Sequence, residues 1–126
     1  MMKTILLSIK PEYVEKILDG TKKYEYRKRI AQDLTETLLI YCTAPEMKIV
    51  AEVEVINTVS APPSTLWEQT KQNAGISREK YREYFHGCKT AYAYELGNVE
   101  IFNPPRNLAE YNVAVPPQSF AYVDVE

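Results

Sequence analysis

The sequence TILLSIKPEYVEKILDGTKKYEYR, residues 4–27, decides the fold of this chain. Its apolar start predicts a buried strand over residues 4–9, and Pro11 then opens a helix because its fixed φ suits the first helical position. Apolar residues follow at helical spacing until Gly20. A glycine at this point suits the left-handed backbone conformation in which α-helices often end. A strand rich in tyrosine and basic residues resumes over residues 22–29. The stretch therefore predicts the order strand, helix, glycine turn, strand.

Several further short elements follow this start. Apolar or alternating runs predict strands over residues 38–43, 49–56, 91–96, 99–102 and 119–125. Thr65 and Glu68 match a capping box, which predicts that a helix begins at Thr65 and runs to about Asn73. Ser77 is expected to cap a second short helix. The chain is thus predicted to be α+β, with about six strands in a small mixed or antiparallel barrel.

Length and composition set the class of protein. The 126 residues, 45% hydrophobic and 25% charged, predict one globular domain over residues 1–126. No apolar run approaches the ~18 residues of a membrane span, and the apolar start is too short for a signal peptide. We therefore expect a cytoplasmic protein without a membrane partner. The sequence does not predict its oligomeric state.

Charge is unevenly distributed along the chain. The net charge is −2, but residues 1–29 carry eight basic and four acidic side chains, and the remaining 97 carry seven basic and thirteen acidic ones. Residues 22–29 hold five cations and one acid, enough for a local anion-binding surface. The alternative is a solvated strand edge, where lysines discourage edge pairing.

The inventory of metal ligands and nucleophiles is small. Cys42, Cys88 and the single histidine, His86, have no metal-binding spacing, so we expect neither a metal site nor a cofactor. His86 is expected at a helix end rather than in a catalytic triad.

Three charged residues in the turn and strand after Gly20 form the candidate site. Glu25 and Arg27 lie two apart, so in a strand they point to the same face. Lys22 has the opposite parity and joins them only if it belongs to the turn. Glu25 and Arg27 alternatively form only an ion pair on a sheet face.

Gly20, Lys22, Glu25 and Arg27 fit the G-x-K-x-x-E-x-R signature of the ASCH domain family, a branch of the PUA-like superfamily, which this chain resembles over residues 4–103. The lead-in Ser8-Ile9-Lys10-Pro11 is also similar to that family. The resemblance implies a PUA-like β-barrel with helices over its ends and a charged cleft suited to RNA or a nucleotide-like ligand. One branch of the family hydrolyses N4-acetylcytidine, and another is ribonuclease-like. This chain matches the lysine of the first branch but has Glu25 where that branch has threonine.

Physical roles follow for these residues. Arg27 can hold a phosphate through two hydrogen bonds, and Lys22, clustered near Arg27 in a dry cleft, is expected to have a lowered pKa suited to a base or nucleophile. Glu25 can accept a hydrogen bond from an exocyclic amine of a nucleobase, or it can hold Arg27 in position. Glu52 is the candidate second carboxylate, unless it simply faces solvent. The expected ligand-binding set is Ser8, Lys10, Lys22, Lys23, Glu25, Arg27 and Glu52, with Lys22 and Glu25 catalytic if the protein is an enzyme.

Three functions remain open from the sequence. The first is a binding module for RNA or a nucleotide, in which Tyr24 or Tyr26 stacks on bases unless both pack in the core. The second is a small hydrolase of a modified nucleoside or of RNA. The third is a domain that binds an acidic peptide in the same cleft.

Overall fold

A computed structural model describes residues 3–31 and 34–124. Along the chain the helices and strands are β1 (Lys3–Ile9), α1 (Pro11–Leu18), β2 (Tyr24–Arg27), β3 (Thr35–Cys42), β4 (Lys48–Ala61), α2 (Pro63–Thr70), α3 (Arg78–Tyr84), β5 (Ala91–Arg106) and β6 (Phe120–Val123). Two 3-10 helices, Lys71–Asn73 and Leu108–Tyr111, follow α2 and β5. None of the described helices is long and apolar enough to cross a membrane.

The six described strands form one mixed sheet in the order β2-β5-β4-β3-β1-β6. β1 pairs with β3 in parallel, and all other neighbours are antiparallel. The α+β class and the six strands predicted from the sequence are confirmed, but the predicted barrel is not closed. Within the described residues β2 and β6 end the sheet, and no strand ladder joins β2 to β1.

The first predicted elements form in the expected order, although the strand predicted over residues 22–29 is shorter, Tyr24–Arg27. Pro11 is the first residue of α1, and Gly20 takes φ +86° just after the helix end. This conformation turns the chain toward β2 at little steric cost, because glycine has no Cβ. Lys22 therefore precedes the strand, which begins at Tyr24. Its position in the turn is the one it needs to join Glu25 and Arg27.

One of the two predicted helix starts is wrong, and the reason can be identified. α2 begins at Pro63, two residues before Thr65, and no side chain caps it. Proline favours the first helical position, so Pro63 sets the start, and Glu68 instead pairs with Lys71 at 2.8 Å. Ser77 does cap α3, accepting a hydrogen bond from the Lys80 amide at 3.1 Å.

The strands predicted over residues 91–96 and 99–102 are one strand, β5. Gly97 and Asn98 connect the two segments at a point where the pairing register shifts, opposite Glu54. The Glu54 carboxylate accepts a hydrogen bond from the Asn98 backbone amide at 3.2 Å. The strand predicted over residues 119–125 is shorter, and residue 125 lies outside the described residues. β-Bulges of this kind have no simple period, so alternation alone does not reveal them.

The buried side chains of the described residues fall into three clusters. One lies between α1 and the sheet, and a second lies on the opposite face of β1 and β3 under the chain around Leu108–Tyr111. The third packs α2 and α3 against β2 and β5, through Tyr26, Leu66, Tyr81 and Phe85. This third cluster holds α3 beside β2, which places helical side chains over the motif.

Candidate functional site

A cleft of about 500 Å³ opens where β2 approaches β1. Its walls come from the end of β1, the start of α1, the turn before β2, β2 itself, residue 76 and α3. The lining residues are Ser8, Ile9, Lys10, Glu12, Tyr13, Lys22, Glu25, Tyr26, Arg27, Ile76, Lys80, Glu83 and Tyr84. The cleft thus lies beside β2, an edge strand of the sheet, where no backbone ladder joins β2 to the end of β1.

Lys22 lies in the wall of the cleft and is only 4% exposed. Its ammonium donates to the Ala74 carbonyl at 2.7 Å and lies 5.0 Å from the Tyr26 ring and 5.4 Å from the Tyr13 ring. Burial lowers the pKa of Lys22; nearby Glu25 opposes the shift, while Lys16 and Arg27 add to it. The predicted fall in pKa is thus reproduced, but desolvation outweighs the neighbouring arginine as its cause.

Gly75 leaves the space that the Lys22 side chain occupies in this position. It takes φ +65°, and a Cβ placed on it would come within 2.4 Å of the Lys22 Cβ. The Lys23 amide, next along the chain, donates to the Asn73 carbonyl at 2.9 Å. The turn before β2 is therefore packed closely against the chain that follows α2.

Glu25 and Arg27 form a partly buried ion pair beside Lys22. Nε and a terminal nitrogen of Arg27 lie 3.1 Å and 3.0 Å from the same carboxylate oxygen of Glu25. Arg27 also donates to the Ser8 carbonyl at 3.1 Å, which links β2 to β1 across the open side of the sheet. The pair predicted as an alternative is present, and it lies inside the cleft rather than on an open sheet face.

The mouth of the cleft carries a second, exposed ion pair. Lys80 of α3 lies 3.5 Å from the Glu12 carboxylate of α1, and both side chains are more than half exposed. Tyr84, also on α3, is 37% exposed, and Lys28 lies 4.9 Å above its ring. Burial raises the pKa of both Tyr13 and Tyr84, so these phenols stay protonated at neutral pH.

Five of the seven predicted binding residues line the cleft, namely Ser8, Lys10, Lys22, Glu25 and Arg27. The Ser8 hydroxyl donates to the Pro117 carbonyl at 2.9 Å, and the contact of Ser8 with Arg27 is made by its backbone carbonyl instead. Lys23 is exposed and does not line the cleft. Glu52 lies on β4 between Leu39 and Glu100, also outside it. The structure therefore does not bring Glu52 to Lys22 as a second carboxylate.

Tyr26 packs mainly in the core. It is 6% exposed, its ring meets Tyr81 edge-on at 5.0 Å, and its hydroxyl contacts the Thr70 hydroxyl at 2.6 Å. Thr70 donates to the Leu66 carbonyl, so Tyr26 is the donor to Thr70. Burial raises the pKa of Tyr26 to about 12. This environment favours the packing role over base stacking.

The α3 contribution to the cleft was not predicted from the sequence. Lys80, Glu83 and Tyr84 share one side of that helix, at the i, i+3 and i+4 spacing that places side chains together. That spacing is the signal available in the sequence, but it does not reveal which partner the side faces. Glu12 and Glu83, rather than Glu52, are the carboxylates that accompany Glu25.

Within residues 3–31 and 34–124, no three His, Cys, Asp or Glu side chains cluster in a way that could hold a metal ion. The cleft lining carries four cations, Lys10, Lys22, Arg27 and Lys80, and three acids, Glu12, Glu25 and Glu83. Its formal balance is therefore about one positive charge in a chain of net charge −2. A small anionic ligand with polar edges fits this arrangement best.

Known proteins resemble this chain along its length. An ASCH domain-containing ribonuclease of Zymomonas mobilis subsp. mobilis is 30% identical over 128 residues, which cover 98% of this chain and 86% of that protein. The ATP synthase subunit alpha of Ureaplasma parvum serovar 3 is 30% identical over 121 residues, or 95% of this chain. The chain spans only 15% of that second protein.

Solved structures give the same result for the fold. The crystal structure of ASCH from Zymomonas mobilis matches with a TM-score of 0.89 and 29% identity, over 97% of this chain and 88% of that one. The family model of the ASCH domain matches residues 7–106, which include the motif, the cleft, the end of β1 and all of β2, β3, β4 and β5. This chain belongs to the ASCH domain family.

Proposed function

We propose that this protein is a ribonuclease that binds unpaired RNA in the cleft between β1, β2 and α3. The observation that carries the proposal is the buried Lys22 ammonium, which lines the cleft beside the Glu25–Arg27 pair. Among the described residues no carboxylate forms an ion pair with Lys22, so its amine is not committed to a charged partner. The ribonuclease of Zymomonas mobilis, similar over 98% of this chain, supports the same reaction class.

The dimensions and charge of the cleft support an unpaired nucleotide as the ligand. A volume of about 500 Å³ lies in the range of pockets that enclose one small molecule. Lys10, Arg27 and Lys80 are placed to contact phosphate oxygens, while Glu25 and Glu83 are acceptors for base amines. A base separated from its helix can enter such a pocket, whereas a paired one is held in the duplex.

The proposed reaction uses the 2′-hydroxyl of the bound nucleotide. That oxygen attacks the adjacent phosphorus and gives its proton to neutral Lys22, whose lowered pKa increases the neutral fraction. The bond from phosphorus to the 5′-oxygen breaks, and the departing oxygen takes a proton from Tyr13 or water. Arg27 neutralises charge on the phosphoryl oxygens. The products are a 2′,3′-cyclic phosphate and a 5′-hydroxyl.

The test measures cleavage of a single-stranded oligoribonucleotide by the wild type and three variants. Lys22→Met is expected to lower kcat by at least ~10²-fold, because the proton acceptor is lost. Arg27→Lys keeps the positive charge but loses the pair of hydrogen bonds by which a guanidinium can hold a phosphate, so KM should rise severalfold. Lys23→Ala is the matched control, since Lys23 is the exposed neighbour of Lys22 outside the cleft, and it should cleave normally.

Other substrates make this test decisive. RNA that binds without being cut would support a binding module and overturn the ribonuclease. Release of acetate from N4-acetylcytidine, with RNA left intact, would instead favour an amidohydrolase that uses Lys22. Loss of cleavage in Lys23→Ala equal to that in Lys22→Met would contradict the assignment of Lys22.

A further inference from the structure

A second groove of about 500 Å³ lies on the opposite side of α3 from the cleft. It is bounded by α2 and α3, and its floor is aromatic. The ring centroids of Trp67 and Tyr81 are 4.8 Å apart, and those of Tyr81 and Phe85 are also 4.8 Å apart. Tyr81 and Phe85 are buried, whereas Trp67 is partly exposed. The indole of Trp67 is therefore the aromatic surface that the groove offers to a ligand.

The rim of this groove is basic. Arg78 and Arg82 are one helical turn apart on α3, both are exposed, and both line the groove. The acid that lines it, Glu68, is already paired with Lys71 at 2.8 Å. An aromatic surface flanked by two guanidinium groups combines base stacking with phosphate contact, the combination by which proteins hold single-stranded nucleic acid.

α3 is shared by the two sites. Its Lys80, Glu83 and Tyr84 line the cleft, while its Arg78, Tyr81 and Arg82 line the groove. A helix with its side chains is only ~10 Å wide, so a short segment of one RNA strand can pass over it from one site to the other. Two linked contacts on one strand bind more tightly than either contact alone, because the second forms at high effective concentration.

We propose that the groove between α2 and α3 is a second subsite for the RNA strand whose scissile nucleotide lies in the cleft. The flanking segment of that strand stacks a base on Trp67 and places phosphates against Arg78 and Arg82. This inference rests on the proposed function, since the strand that enters the groove is the one the cleft binds. It predicts that the protein prefers oligoribonucleotides to mononucleotides.

Trp67 is the only tryptophan of the chain, so its fluorescence reports directly on the groove. The probe is an oligouridylate with 2′-O-methyl groups, which the proposed reaction cannot cleave, and uridine monophosphate is the comparison. The oligonucleotide should quench Trp67 fluorescence at a concentration at least tenfold lower than the mononucleotide does. Stacking on the indole is the cause of the quenching.

Variants separate the groove from the cleft. Arg82→Ala should weaken oligouridylate binding severalfold and reduce the slope of log affinity against log salt by about 0.7. Lys3→Ala is the matched control, because it removes one cation at the far end of β1, outside both sites, and it should bind as the wild type does. Trp67→Phe should retain binding, whereas Trp67→Ala should weaken it, with thermal unfolding measured for both.

The outcomes distinguish the two proposals. If the wild type binds and cleaves RNA but shows no quenching, and Arg82→Ala binds normally, the second subsite is wrong and the ribonuclease stands. If the wild type binds no RNA, the proposed function fails and the subsite with it. Quenching by an acidic peptide but not by oligouridylate would identify a protein-binding groove and overturn the inference. Should Trp67→Ala not fold, wild-type quenching and Arg82→Ala still decide the matter.

Discussion

Lys22 is held in an environment that opposes its charge. The folded protein encloses an ammonium whose main fixed partner is one backbone carbonyl, at 2.7 Å, and two aromatic rings lie near it. The hydrogen bond and the ring faces offset part of the free energy that desolvation of the ammonium costs. The lowered pKa of Lys22 indicates that the rest of this cost is not offset. Perturbed groups of this kind are concentrated at functional sites.

The stability of the protein should depend on pH through Lys22. Between the lowered folded pKa and the ordinary value of 10.5, the unfolded chain binds the Lys22 proton and the folded chain does not. The free energy of unfolding therefore rises with pH through this window, and the Lys22 cost is fully present below it. Lys22→Met removes this dependence, so the wild type should gain stability relative to the variant as pH rises from 7 toward 10.

Denaturant unfolding of both proteins at each pH measures this difference. The buried tyrosines act in the opposite direction above pH 10, since Tyr26 keeps its proton to about 12, but they are common to both proteins and cancel. At neutral pH we expect Lys22→Met to unfold within ~1 kcal/mol of the wild type. A stability difference that stays constant with pH would mean that Lys22 titrates normally.

Gly75 should prove essential to the position of Lys22. Gly75→Ala combines a left-handed φ, which costs ~1–2 kcal/mol, with a Cβ that overlaps the Lys22 side chain. We expect it to destabilise the protein by ~2–4 kcal/mol and to lower cleavage, because Lys22 must move. Gly20→Ala is the matched control: φ is +86° there, but apart from the chain neighbours of Gly20 no atom of the described residues lies within 4 Å of the added Cβ.

The two glycine variants are compared by thermal unfolding and by cleavage at a temperature where both are folded. Gly20→Ala should lose ~1–2 kcal/mol and retain its kcat. Equal activity in the two variants would show that the contact of Gly75 with Lys22 has no role in the site.

At the scale of elements, α1 and α3 control the mouth of the cleft through the exposed pair of Glu12 and Lys80. Such a pair stabilises the fold by less than ~1 kcal/mol, but Glu12 places a negative charge at the mouth through which the proposed RNA ligand enters. Glu12→Gln should therefore raise RNA affinity about two- to fivefold at low salt and leave stability nearly unchanged. Glu15→Gln, also exposed on α1 but outside the cleft, should have a smaller effect.

Equilibrium binding at two salt concentrations tests this pair of variants. The gain in Glu12→Gln should shrink as salt screens the charge. A loss of affinity in Glu12→Gln would contradict the expectation and would mean that Glu12 positions Lys80 for the ligand.

The same elements show how far the sequence predicts the site. Lys22, Glu25 and Arg27 follow from local rules, because a glycine turn and strand parity fix their relative directions. Lys80 and Tyr84 do not, since α3 reaches the cleft only through the packing of Tyr81 and Phe85 against Tyr26. Alternation likewise placed Glu52 on the polar face of β4, but it does not reveal that this position lies outside the cleft.

At the scale of the molecule, the open order of the sheet creates the site. β1 and β2 are separated in the sheet by three strands, yet Arg27 of β2 reaches the Ser8 carbonyl of β1. The curled sheet therefore leaves a gap that a side chain bridges, and the cleft opens there. This is why the motif residues come together although the sheet, predicted as a small mixed or antiparallel barrel, does not close.

The charge of the whole chain sets the last prediction, which concerns salt and strandedness. The cleft and the groove present at most six cations, Lys10, Lys22, Arg27, Lys80, Arg78 and Arg82, on a protein whose net charge is −2. Each single-strand phosphate contact contributes ~0.7 to the slope of log affinity against log salt, so the slope should be no steeper than about −4. An RNA duplex of the same length should compete poorly, because its bases are not available to enter the cleft.

Filter binding of matched single- and double-stranded RNA across a salt series measures both the salt slope and the preference for single strands. A slope near −10, or equal affinity for the duplex, would indicate an extended basic surface instead of two confined sites, and the acidic remainder of the chain makes such a surface unfavourable.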